Sequence, residues 1–461
     1  MDALHVDLLV IGFGKGGKTI AAAMGRRGQR VVMVEQSDQM YGGTCINIGC
    51  VPTKALVHDA ESRRPGDAPK HWYARAVTRK TDLTALLRGK NFDMLDVIDS
   101  VTVVTGRATF AGPREVEVRA GTDLLRIRAE TVVIDTGSEP VIPEIPGVHD
   151  NPRVTTSTTL IATEDLPARL VVIGGGYVGI ELAGMYAQFG SQVTVLESAE
   201  RVFGREDDDV AAAAREILER QGVTFLTGVR ATSIRDADDG ATVSYEGRGP
   251  GGAGGGAVTG DLVLLAAGRR PVTAGLGLDV AGIRTTDRGA IEVDEHLRTS
   301  VPGVYAVGDV NGGPQFTYIS LDDSRIVLDQ LVGSGERSTA DRVAVPYTVF
   351  VSPPLARVGL TEREARAAGH DVLVASKAVA ALAAMPRARI VEQTDGLMKF
   401  VVDAGSGLVL GTALLCVDSQ ELINTVALAM RHGISATGLR DAIYTHPSST
   451  EGFNEVLAAL V

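Results

Sequence analysis

Cys45 and Cys50 stand five positions apart in Gly42-Gly43-Thr44-Cys45-Ile46-Asn47-Ile48-Gly49-Cys50-Val51-Pro52-Thr53-Lys54. Two thiols at this spacing can form a disulfide, which is a two-electron acceptor. In an undistorted helix, positions five apart point about 140° from each other. A Cys45–Cys50 bridge therefore needs an irregular turn. Gly49 permits one, and Pro52 removes a backbone donor just beyond it. The stretch follows closely on a glycine-rich turn, which places a redox pair beside whatever that turn binds.

The turn is Gly12-Phe13-Gly14-Lys15-Gly16-Gly17. Val6 to Ile11 before it reads as a buried parallel strand, and a helical run follows from Lys18 to Gly25. Val31 to Val34 is a second strand, ended by Glu35. Gly12 allows the tight turn, Gly14 lets backbone approach a pyrophosphate, and Gly17 lets helix meet strand. The helix N-terminus then faces phosphates, and Glu35 can accept ribose hydroxyls. The unit occurs twice. Leu170 to Ile173 is followed by Gly174-Gly175-Gly176-Tyr177-Val178-Gly179, a helix from Ile180 to about Phe189, and the strand Gln192 to Leu196 ended by Glu197. In both copies the acid lies 18 residues past the last glycine. Strand before, helix after and acid at that offset mark dinucleotide sites. Two such sites and a cysteine pair describe an electron path from nicotinamide to flavin to disulfide. The first unit is expected to hold FAD, because the cysteines follow it directly. The second is expected to hold the nicotinamide nucleotide.

With these motifs the chain resembles the pyridine nucleotide-disulfide oxidoreductases, whose members include glutathione reductase, lipoamide dehydrogenase and mercuric reductase. The resemblance covers essentially the whole chain. Thr136-Gly137-Ser138 looks like the family's strand-end flavin contact, Ala267-Gly268-Arg269-Arg270-Pro271 like its hinge back from the nucleotide domain, and Val304 to Asp309 like its second flavin segment. It implies cofactor contacts at Gly43, Thr44, Gly268, Gly308 and Asp309, the last on the ribityl chain. It also implies that Cys50 is the thiolate facing the flavin and Cys45 the outer thiol that attacks substrate. Lys54 lies four positions past Cys50 on the same helix side. The family places a lysine here near the flavin, paired with a glutamate of the nucleotide domain, which Glu181 matches. Glu181 also interrupts an otherwise apolar helix. Tyr177 matches the aromatic gate over the nicotinamide pocket. His446-Pro447-Ser448-Ser449-Thr450-Glu451 resembles the C-terminal catalytic segment. His446 precedes a proline and is expected to be extended. Pro447 and its successors can start a helix, from which Glu451 folds back to orient the imidazole. The family supplies this pair from the other subunit, which implies a homodimer.

Within the family, Gln315 to Asp323, Met385 to Arg389, Leu415 to Ser419, Ile46-Asn47-Ile48 and Val57 to Ala60 resemble the RclA-type branch. The resemblance implies reduction of a small oxidant, hypothiocyanous acid or another species derived from reactive chlorine, or copper(II). Mercury(II) reduction and lipoamide chemistry are the enzyme alternatives, and a flavin-bearing redox sensor is the alternative outside catalysis. The tail carries no cysteine pair. Glu197 favours NADH by repelling a 2′-phosphate, while the nearby Arg201 and Arg205 leave NADPH open as a second donor.

The 461 residues suffice for about three domains. The expected class is α/β, with two Rossmann-like dinucleotide-binding domains and a C-terminal α+β dimerisation domain. Residues 1–147 and 271–342 are assigned to FAD, 148–270 to NAD(P), and 343–461 to the interface. Residues 60–91 read as helical and 101–134 as strand-rich, with Val103, Phe110 and Val118 in the core. The glycine-rich run 247–260 suggests a mobile hairpin loop without a functional role. A net charge of −12 argues against nucleic-acid or anionic-membrane partners. Nothing in the sequence reads as a metal site, a membrane span or a signal peptide. Three cysteines suit a reducing cytoplasm, with Cys416 buried and inert.

Overall fold

The structure is a computed structural model that describes residues 3–149, 151–249 and 252–460. Strand β1 (Leu4–Ile11) carries the apolar run that buries against both faces of a sheet. It pairs in parallel with β2 (Val31–Glu35) and with Asp123–Ile134. Val304–Ala306 returns from far along the chain to pair with Asp123–Ile134. The register sets Ile11 beside both Val34 and Ile134, so Gly12, Glu35 and Asp135 emerge together at one edge. In a doubly wound sheet, the carboxyl ends of the strands are where ligands bind. Helix α1 (Lys15–Gly25) packs Ile20, Ala21 and Met24 under this sheet.

A second parallel sheet runs in the order Val223–Thr227, Gln192–Glu197, Arg169–Ile173, Leu262–Leu265, Val154–Thr156. The helix Tyr177–Phe189 covers it. The C-terminal part is an antiparallel five-stranded sheet whose order begins at Tyr347–Val349, backed by the helix Ser419–Arg431. The architecture is mixed α/β, with two parallel-sheet units that each carry a glycine turn and a C-terminal antiparallel unit.

The stretch read as helical over 60–91 takes in the end of one helix and most of another. Helix α2 (Gly43–Asn47) is followed by α3 (Cys50–Glu61) and α4 (Pro69–Asp96). Leu56 of α3 and Tyr73 of α4 pack with Ile180, Tyr186 and Phe189 in one core, and the Tyr73 and Tyr186 hydroxyls lie 2.9 Å apart. This packing brings Lys54 opposite Glu181. Phe110 and Val118 are buried, whereas Val103 is only partly so. Where it is described, the glycine-rich run forms the expected hairpin, but as paired strands rather than as a loop. Gly252–Gly260 is a strand paired along Gly240–Gly249, so cross-strand hydrogen bonding overrides composition there; Pro250 and Gly251 lie outside the described residues.

Candidate active site

The two glycine turns are built alike. Gly12 has φ +98° and Gly174 φ +110°, and a Cβ at either would lie 2.3 or 2.4 Å from a carbonyl oxygen of the neighbouring strand end. Only glycine fits. Gly14 and Gly176 are N-caps without a side-chain capping bond, so part of each helix's N-terminal N–H set stays available to an anion. Glu35 Oε2 accepts from Phe13 N at 3.0 Å, and Glu197 Oε2 from Gly175 N at 2.6 Å. Each acid thus ties its own turn, with lone pairs left over. Gly179 closes against Gly174, its Cβ position 2.1 Å from the Gly174 carbonyl oxygen. At Gly176, by contrast, no protein atom lies within 4 Å of an added Cβ. Steric fit to the protein does not require a glycine there.

A cleft of about 1580 Å³ runs from the first turn to the cysteines. Gly12, Gly14, Glu35, Gly43, Thr44, Thr136, Gly137, Gly268, Gly308 and Asp309 line it. Cys45, Cys50, Lys54, Tyr177 and Glu181 line the same cleft. The remaining expected cofactor residues stand outside that wall. Gly17 donates to Asp135 Oδ2 at 2.6 Å, and Ser138 is buried behind Asp309, to which it donates at 2.6 Å. The second turn reaches the cleft through the helix it starts.

The break between α2 and α3 falls at Ile48 and Gly49. A Cβ at Gly49 would come within 3.0 Å of the Thr44 carbonyl oxygen. Gly43 (φ +75°) presses against Gly14, its Cβ position 2.9 Å from Gly14 Cα. The redox loop therefore sits directly on the first turn. Lys18 holds it there, donating to Gly42 O at 3.3 Å and Asn91 Oδ1 at 2.5 Å. Burial pulls that ammonium down to about 8.

Both cysteines are free thiols. Cys50 Sγ lies 3.6 Å from Thr317 Oγ1. A hydrogen bond from Cys45 lowers Cys50 to about 6 against the opposing effect of burial, with Thr317 and the Lys54 charge helping. The same bond, with burial, pushes Cys45 up. One sulfur is thus poised as thiolate and the other as thiol. Lys54 Nζ donates to Glu181 Oε2 at 2.6 Å and sits 4.6 Å from the Phe350 ring centre, while Phe350 N donates to Glu181 Oε1 at 2.7 Å.

His446 Nδ1 lies 2.9 Å from Glu451 Oε1, and Ser448 N donates to Oε2 of the same carboxylate at 2.8 Å. The helix expected from Pro447 begins only at Gly452, because residues 447–451 wrap around this carboxylate. His446 is 72% exposed and does not line the cleft, so within one chain it is not brought to the cysteines. Cys416 is fully buried, and burial pushes its thiol up.

Several residues escaped the sequence reading. Asp135 is buried beneath the first turn, and burial pushes its carboxyl well above the usual range. A polar residue ending the apolar run Val132-Val133-Ile134 was its available signal. Lys18, Thr317, Tyr347 and Glu206 gave no local signal. Among the described residues, no cluster of three or more His, Cys, Asp or Glu could hold a metal, and no helix is long and apolar enough to cross a membrane.

Comparisons with known proteins agree with this geometry. Residues 6–324 match the family described as pyridine nucleotide-disulphide oxidoreductase, and residues 345–457 match its dimerisation domain. The chain is 44% identical over 450 residues to the probable pyridine nucleotide-disulfide oxidoreductase RclA of Escherichia coli, covering 98% of each chain. It is 33% identical to the dihydrolipoyl dehydrogenase of Geobacillus stearothermophilus over 97% of this chain and 95% of that one. The solved Cu(II) complex of the HOCl-induced flavoprotein disulfide reductase RclA from Escherichia coli superposes with a TM-score of 0.93 at 43% identity, over 99% of each chain.

Proposed function

The chain belongs to the pyridine nucleotide-disulphide oxidoreductases, a family that works with FAD and a pyridine nucleotide, and we propose that it is an RclA-like reductase carrying electrons from NADH to a small oxidant. The observation that carries this reading is the convergence of Cys45, Cys50, Lys54, Glu181 and Tyr177 on one cleft with the first glycine turn.

The residues present fit FAD. The uncapped start of α1 suits its pyrophosphate, Glu35 its adenosine ribose, and Asp309 its ribityl hydroxyls. Bound there, FAD supplies a two-electron relay between the nicotinamide and the cysteine pair. Lys54 and Glu181 fix the relay side of Cys50, and Lys54 favours its thiolate. The second turn takes the nicotinamide nucleotide. Glu197 faces the ribose, and Arg201 is unavailable to a 2′-phosphate because it is paired with Asp208 and donates to Gly204 O at 3.2 Å. This favours NADH.

With hypothiocyanous acid the dithiol balances the reaction. His446 of a second subunit, held by Glu451, takes the Cys45 thiol proton as that sulfur attacks the oxidant's sulfur, forming a sulfur–sulfur bond and expelling hydroxide. The imidazole then passes the same proton to the hydroxide, giving water. The Cys50 thiolate then displaces thiocyanate from Cys45 and closes the disulfide. Two electrons leave the thiols, and the products are thiocyanate and water. Such a dithiol cycle suits a reducing cytoplasm.

The test is steady-state turnover of the FAD-loaded enzyme with NADH and a panel of acceptors: hypothiocyanite, copper(II), mercury(II), glutathione disulfide and lipoamide. Hypothiocyanite should be reduced much faster than lipoamide or glutathione disulfide. Rapid lipoamide turnover with negligible hypothiocyanite reduction would overturn the substrate assignment.

A further inference from the structure

Tyr177 does not stand alone at the cleft. Its hydroxyl lies 3.2 Å from the Tyr347 hydroxyl and 3.3 Å from Glu206 Oε1, and the Tyr347 hydroxyl lies 2.8 Å from that same oxygen. The three oxygens form one closed triangle. Glu206 is 0% exposed, and its other oxygen lies 3.2 Å from Nη1 of Arg357, a residue 4% exposed. Arg357 is completed by the Arg205 carbonyl at 3.0 Å and Glu364 at 3.0 Å. The buried carboxylate is therefore paired rather than isolated. Burial and the Glu206 charge raise both phenols, which keeps them hydrogen-bond donors.

The rings follow the hydroxyls. Tyr177 and Tyr347 stack with centres 5.7 Å apart, and Tyr347 stacks on Phe316 at 6.3 Å. Phe316 precedes Thr317, the partner of Cys50. Three separate elements meet here: the first turn of the helix Tyr177–Phe189, the edge strand Tyr347–Val349, and the start of the helix Thr317–Val332. Tyr177 is the one ring set behind an uncrowded N-cap, Gly176.

We propose that Glu206, anchored by Arg357, is a positioning residue that latches Tyr177 closed over the cleft, with Tyr347 as the fixed half of the latch. This rests on the reading of Tyr177 as the gate to the nicotinamide pocket. When Tyr177 swings out, Tyr347 and Arg357 still satisfy Glu206, so no buried charge is stranded. Opening costs Tyr177 its hydroxyl's bonds alone. A hydrogen bond to a charged acceptor is strong enough to bias such a two-state ring, yet weak enough for a nucleotide to displace.

The test titrates NAD⁺ into the oxidised, FAD-loaded enzyme by calorimetry, with the KM for NADH and the melting temperature measured beside it. Tyr177→Phe removes the latch and keeps the ring. It should tighten NAD⁺ binding about three- to tenfold, the worth of about one such bond, with KM falling by a similar factor. Tyr347→Phe leaves Tyr177 one acceptor fewer, so the effect of Tyr177→Phe should shrink in that background. A purely structural role would shift the melting temperature and leave Kd alone. If Tyr177→Ala changes nucleotide binding but Tyr177→Phe does not, the gate stands and the latch is wrong. If the two Phe substitutions simply add, Tyr347 does not act through Tyr177, and the latch is also wrong. If Tyr177→Ala leaves both Kd and KM unchanged, the gate reading itself falls.

Discussion

Cys50 opens α3, where five influences act on one sulfur, the Glu181 charge siding with burial. Cys45, Thr317 and Lys54 draw it toward thiolate, and burial opposes them, leaving it at about 6. The sign follows: an acid group lowered to about 6 is thiolate above that pH and thiol below it. The reduced holoenzyme should therefore show long-wavelength absorbance from Cys50 against the flavin at pH 7 to 8, fading as pH falls through about 6. Cys50→Ser should abolish the band. Cys45→Ser should show it without prior reduction. Unchanged spectra in both variants would remove Cys50 from its assigned place. Glu197 makes a second residue-scale case. Its carboxylate accepts from Gly175 N at 2.6 Å and Ala199 N at 2.7 Å, so it is already oriented before any ribose arrives. Glu197→Ala should cost NADH more than NADPH, shifting the ratio of their kcat/KM values by roughly tenfold, the worth of a charged hydrogen bond. Equal losses would show that the ribose is not read.

At the scale of elements, the second glycine turn separates stability from binding. Gly174 has φ +110° and a Cβ position 2.4 Å from the Ala266 carbonyl oxygen, whereas an added Cβ at Gly176 meets nothing within 4 Å. Gly174→Ala should destabilise the fold by roughly 2 kcal/mol or more, through backbone strain and overpacking. Gly176→Ala should leave the melting temperature near its original value and weaken nicotinamide nucleotide binding, measured on the same holoenzyme samples. A Gly176→Ala variant that binds NADH normally would place the pyrophosphate elsewhere. These turns were legible in sequence because strand, glycines, helix and acid are local and periodic. The break between α2 and α3 was legible for the same reason: five-residue spacing does not suit one helix. The pairing of Lys54 with Glu181 crosses 127 positions and that of Tyr347 with Glu206 crosses 141. No local pattern encodes such contacts; the first was reached through family resemblance and the second was missed. The strand Gly252–Gly260 was misread because its glycines hide a ladder that only its partner strand makes visible.

The whole molecule leaves the His446–Glu451 pair outside its own cleft. His446 is held by Glu451 at 2.9 Å, yet its side chain is 72% exposed and absent from the wall around Cys45. An imidazole oriented by a carboxylate but facing no substrate is unfinished in a single chain. The chain carries the family's dimerisation domain over residues 345–457, and His446 lies inside it. In a two-fold assembly each surface meets its own copy, so His446 of one subunit can complete the site of the other and the reverse holds as well. This arrangement predicts complementation. Cys45→Ser subunits lack the attacking thiol, and His446→Ala subunits lack the proton donor. Heterodimers of the two should regain one working site of the two, with turnover near half that of the native dimer, while both parent homodimers stay low. Native-size mass measurement of the purified mixture verifies the heterodimer. If verified heterodimers show no recovery, His446 serves its own subunit or lies outside the reaction. A His446→Ala homodimer as active as the native enzyme decides for the second.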